Sequence, residues 1–186
     1  VLDLHCDSNA QLHMYTHRGL WHGIGGGIEP TGIMQQLAAE LQASPVLIST
    51  GVGNECAFDD VCSNIFYELN KTIGEPNGCP IGMGCESCTV ELRGSTDVRD
   101  ELALKDARAI FRFLQRRGYI NAGDTLIPAT PEQLESGWAY SGNLQVEPVL
   151  LRDGTDLAAC DNYPATAGGI VEWKVKLGAW VKEGDL

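Results

Sequence analysis

Short apolar runs alternate with amphipathic stretches of helical length along most of this chain, and the two periods predict different elements. Residues 1–4 (VLDL) form an apolar run that predicts a short buried strand with Asp3 embedded in it, so His5, Cys6 and Asp7 fall where the strand would end. Ile33, Leu37 and Leu41 recur at helical spacing within 31–43, with Thr31 as a candidate N-cap, and Pro45 closes that helix. Residues 46–49 predict a second short buried strand, and a turn across 51–54 leads to a helix over 57–69. A loop around Pro80 spans 79–84, and 87–92 predict a strand with Glu91 near its end. From Thr96 the pattern is strongly helical. Leu102, Leu104, Ala107, Ile110, Phe111 and Leu114 make its apolar face, Arg116 and Arg117 complement the negative end of the helix dipole, and Gly118 stops it. Strands alternating with helices imply an α/β domain with a mixed, mostly parallel sheet.

Beyond Gly123 the character changes. Residues 145–152 and 169–177 carry short β-like runs punctuated by Pro148, Gly154, Pro164, Gly168 and Gly178. The expected division is therefore an α/β unit over 1–122 and a small β domain over 123–186, beginning somewhere between Gly123 and Gly142. An apolar strand at the very start and a turn signal, Glu183-Gly184-Asp185, directly before the last residue suggest that neighbouring elements are missing at both ends.

Composition narrows the classes. A hydrophobic content of 44% in 186 residues supports a substantial core, and 20% charged residues with 22 glycines fit neither a coiled coil nor a charge-driven disordered chain. A formal charge of -12 repels a phosphate backbone, so nucleic acid is not an expected partner. No apolar stretch approaches the ~18–20 residues of a spanning helix, and the start VLDLHCDSN lacks the features of a signal peptide. Seven cysteines, an odd number with irregular spacing, argue against a paired disulfide framework and for a reducing cytoplasm.

The candidate chemistry gathers at two places. Asp3, His5, Cys6 and Asp7 precede a loop, with His13, His17 and His22 following. A neutral imidazole binds zinc well and a nearby carboxylate can orient its second nitrogen; Asp3 and His5 share a strand face. Glu91 follows apolar Val90 and stands beside Arg93. It could take a proton from metal-bound water and return it to a leaving amine, or it could simply be a surface glutamate paired with Arg93.

DLH at Asp3-Leu4-His5, then LH at Leu12-His13 and a glycine-rich region, resembles the second zinc-binding segment of the succinylglutamate desuccinylase and aspartoacylase family. VELRG from Val90 to Gly94, followed by the long helix ending FLQRRGYI, is similar to that family's catalytic-glutamate segment and the helix after it. The resemblance implies a three-layer zinc-peptidase-like domain, with His5 as a zinc ligand, Glu91 as the catalytic glutamate and Zn2+ as cofactor. It implies a deacylase that cleaves the amide bond of an N-acyl amino acid or related small carboxylate-bearing amide, with no membrane partner and compatible with a homo-oligomer. It covers nearly the whole sequence but only the later part of a family member. The family's earlier histidine–glutamate zinc pair, and a segment ending in aspartate, asparagine and arginine, have no match here. YPATAGGIVEWKVKLGAWVKEGDL looks like the same family's C-terminal β domain. It also resembles half of a biotinyl or lipoyl carrier barrel, but without the Met-Lys-Met turn that carries the cofactor.

Three other readings compete. Cys79, Cys85 and Cys88 with Cys56 or Cys62 could hold a structural zinc, although only Cys85 and Cys88 have close spacing. The segment GIGGGIEP lacks the order of a dinucleotide or phosphate loop and reads as a loop over the site, where His17, Arg18 and His22 could meet an anionic substrate. Finally, the scaffold could serve a zinc carboxypeptidase-like peptidase or a non-enzymatic binding protein.

Overall fold

The computed structural model describes residues 1–22, 33–49, 57–120, 154–161, 164, 166–170, 172 and 174–182. Five strands, β1 (Leu2–Asp7), β2 (Leu12–His17), β3 (Val46–Ser49), β4 (Cys88–Gly94) and β5 (Thr155–Asp156), form one sheet in the order β1-β4-β2-β3-β5. Three neighbouring pairs, β1 with β4, β2 with β3 and β3 with β5, are parallel; β4 and β2 run antiparallel. Four helices, α1 (Arg18–His22), α2 (Ile33–Leu41), α3 (Phe58–Leu69) and α4 (Asp100–Arg116), complete a mixed α/β fold with a mostly parallel sheet.

The two faces of the sheet differ in chemistry because side chains alternate along each strand and partners across a ladder point the same way. One face carries Leu12, Met14, Val46, Ile48, Cys88 and Val90, all buried, in one cluster with Met34, Leu37, Ala38 and Leu41 of α2 and Ala109 and Phe113 of α4. Each apolar side chain buried this way contributes about 1.5–3 kcal/mol. Arg112 of α4 also donates to the Glu40 carboxylate of α2 at 2.7 Å, clamping the two helices. The other face carries Asp3, His5, Thr89, Glu91, His13, Tyr15 and His17. Helix α3 covers part of it. The Ser49 hydroxyl donates to Asp60 at 2.5 Å, and Tyr67 meets the His17 ring edge-on at a centroid distance of 4.8 Å.

Several expectations change. The first strand is a half-exposed edge rather than a buried one, with Leu4 50% exposed, and it runs on to Asp7, so His5 lies within it. Likewise β4 continues to Gly94 and places Glu91 in its middle. The long helix starts at Asp100, because the Gly94 amide donates to the Asp97 carboxylate and holds 94–97 in a turn. A strand absent from the sequence reading, β2, lies third among the five. Thr31, the glycine-rich stretch 23–30, the turn 51–54 and the β-like run 145–152 lie outside the described residues. Of the later expected run, 169–177, the described residues form no strand, whereas Thr155–Asp156 joins the main sheet beside β3. Among the described residues no helix is long and apolar enough to cross a membrane.

Candidate active site

Strand β4 is inserted between two strands that are consecutive in sequence, and this insertion builds the site. The β1–β4 register pairs His5 with Glu91, and the β4–β2 register pairs the same Glu91 with His13. The three side chains therefore form one row on the polar face. His5 and Glu91 lie within their parallel strands rather than at the ends.

His5 Nε2 lies 2.9 Å from Asp3 Oδ2, two residues back on the same strand face. When the neutral ring carries its hydrogen on Nε2, toward the accepting Asp3 carboxylate, the lone pair is on Nδ1. That lone pair faces Glu91, whose Oε1 is 3.9 Å from Nδ1, beyond hydrogen-bonding range. The Glu91 side chain is only 15% exposed, and its Oε2 is buried without a hydrogen-bond partner. In that tautomer Nδ1 and Glu91 Oε1 are two acceptors across a gap that would suit a cation or a proton-bearing ligand.

The remaining candidates separate clearly. Arg93 does not pair with Glu91: its guanidinium donates to both carboxylate oxygens of Asp106, at 2.6 and 3.0 Å. This bond to Asp106 holds Arg93 above its ordinary pKa, and the reading of Glu91 as its surface partner falls. Buried His17 accepts the Gly19 amide at Nδ1 and packs on Tyr67. Arg18 pairs with Asp156 at 3.1 Å in an exposed ion pair. His22 closes α1. His13 is buried, with Nδ1 on the Gln11 carbonyl and Nε2 on the Tyr15 hydroxyl.

Tyr15 carried no signal in the sequence reading. Its hydroxyl is held in the protonated form, raised by burial first and then by Glu91, Asp7 and Cys160. Of the cysteine set, Cys56 lies outside the described residues, Cys62 meets Cys85 side chain to side chain, and the Cys88 thiol points into the core and is pushed up to about 12 by burial. Among the described residues no three His, Cys, Asp or Glu side chains form a metal-holding group. His5 therefore fits as a single ligand, with its orienting carboxylate, and a four-coordinate zinc centre would need further ligands.

Two crystal structures named for succinylglutamate desuccinylase/aspartoacylase proteins share this fold. One, from Shewanella frigidimarina, aligns with a TM-score of 0.64 at 18% identity, and one from Shewanella amazonensis with 0.64 at 20%. Each alignment covers 96% of this chain but only 38% and 39% of those chains, so the chain spans about two fifths of their length. No protein-family model and no curated protein matches the chain.

Proposed function

We propose that this chain belongs to the succinylglutamate desuccinylase and aspartoacylase family and carries part of the active site of a zinc-dependent hydrolase. Its reaction is cleavage of the amide bond of an N-acyl amino acid or related small carboxylate-bearing amide. The observation that carries this reading is the Asp3–His5–Glu91 arrangement, in which one ring nitrogen of His5 lies 2.9 Å from Asp3 and the other 3.9 Å from the shielded Glu91 carboxylate. The shared fold supports it.

His5 Nδ1 would hold the zinc, with Asp3 fixing the ring's tautomer and direction. When bound, zinc supplies Lewis acidity toward the amide carbonyl and lowers the pKa of attacking water. Glu91 accepts the proton from the attacking water and delivers it to the departing amine, through Oε1, the oxygen nearer His5. The six described cysteines are all free thiols, which suits a reducing compartment such as the cytoplasm.

The test is an assay of the whole gene product against N-acyl amino acids and against peptides cleaved at the C-terminus. Hydrolysis of the former, abolished by H5A with loss of zinc, is expected. Exclusive peptide cleavage would make the protein a carboxypeptidase-like enzyme, and zinc-independent binding without turnover would make it a binding protein.

A further inference from the structure

His13, given no role of its own in the sequence analysis, stands directly across the β2–β4 ladder from Glu91. Such cross-strand pairs have Cβ atoms about 4.5–5.5 Å apart. Its two nitrogens are already committed. The Gln11 carbonyl at 2.9 Å can only accept, so Nδ1 bears the hydrogen; Nε2 then accepts from the Tyr15 hydroxyl at 3.3 Å. The ring is also buried, and it meets Tyr15 edge-on at 5.2 Å and 67°. A ring fixed in this way offers Glu91 no donor, so Oε2 stays without a partner, and the ring occupies the space toward β2. His5, by contrast, is half-exposed, with Nδ1 3.9 Å from the same carboxylate. Of two imidazoles flanking one glutamate, one is open to chemistry and the other is locked.

We propose that His13 is a positioning residue for Glu91: locked between Gln11 and Tyr15, it walls the carboxylate on the β2 side and keeps it directed at His5. This rests on the reading of Glu91 as the proton-transferring residue. A reacting group displaced by about 1 Å can cost roughly 10²-fold in rate, so a wall of this kind acts on turnover rather than on substrate or metal capture.

The experiment compares H13A, H13F and H13N with H5A and E91Q in the whole gene product. H13A should lower kcat about 10- to 100-fold with KM changed by less than about 2-fold. Zinc content should stay at the wild-type level, and H13F, which restores ring volume, should recover most of the loss. In protein with 13C-labelled glutamate carboxyls, the Glu91 resonance, identified by its absence in E91Q, should broaden or split in H13A and stay single in H13F. Should H13A fail to fold, H13N carries the same expectation, because it keeps a donor for Gln11 while removing the ring. Loss of zinc from H13A matching that of H5A would overturn the proposal by making His13 a ligand. An unchanged Glu91 resonance in the ring-deleted variant would overturn it whatever the activity. If E91Q keeps full turnover, the catalytic reading of Glu91 fails separately, and the resonance alone then decides: broadening upholds His13 as the positioning group, and an unchanged line refutes it.

Discussion

A histidine on an edge strand needs its proton placed to serve as a ligand, and in the proposed site Asp3, 2.9 Å from His5 Nε2, would do so. Partners of this kind typically set metal affinity by about 10- to 100-fold, so D3A should weaken zinc binding by that factor in competition with a chromogenic chelator. D3N, whose amide oxygen can still accept, should recover part of it; equal affinity in D3A and wild type would show that Asp3 does not orient the ring. At this scale the shared face of Asp3 and His5 was legible from their spacing of two on a strand, and the structure adds that His5 and Glu91 are register partners. Tyr15 and the role of His13 were not legible. Both act through partners on β2 and β4, a non-local pairing that residue types at fixed spacing do not encode.

Among the elements, 46–49 and 57–69 were read to within a residue, since a dense apolar run before a turn and a helical apolar stripe are self-sufficient signals. The strand β2 was missed although LHMYTH alternates, with Leu12, Met14 and Thr16 on the core face and His13, Tyr15 and His17 on the other. Its polar half carries rings rather than charges, and three histidines near a glycine-rich stretch suggested loop chemistry instead of a pleat. The end of β4 shows how an element secures the site. Arg93, two residues past Glu91, has φ 92°, a conformation costly for a residue with a side chain, and its bidentate bond to Asp106 of α4 holds it there. Removing one partner of a shielded ion pair costs about 3–5 kcal/mol because the other is left unpaired. R93A should therefore lower unfolding free energy in urea by roughly 3 kcal/mol. A change under about 0.5 kcal/mol, the range of ordinary surface substitutions, would show that the pair does not anchor β4.

Over the whole molecule the sheet separates an apolar side, packed under α2 and α4, from a polar side shared between α3 and the site. The sequence pattern shows the first readily, because burial of apolar residues is periodic. The second depends on buried polar groups that satisfy one another across elements. Asp59 in the first turn of α3 is the extreme case: it is 2% exposed, its Oδ1 has no hydrogen-bond partner, and burial first, then the neighbouring Asp60 carboxylate, raise its pKa. A bond from Thr89 pulls the other way without cancelling them. An acid whose folded pKa lies above its unfolded value binds more protons in the native state between the two values, so stability falls as pH rises through that window. The contribution is fully present below the unfolded value, about pH 4, and is lost once pH exceeds the raised folded value. The formal charge of -12 also makes repulsion grow with pH, so the wild-type slope alone is ambiguous. D59N removes the titrating group while keeping its shape. Unfolding free energies in urea, measured from about pH 4 upward, should fall less steeply for D59N than for wild type, the difference accumulating within the Asp59 window and constant above it. Parallel curves across that range would mean that Asp59 titrates alike in the folded and unfolded chains.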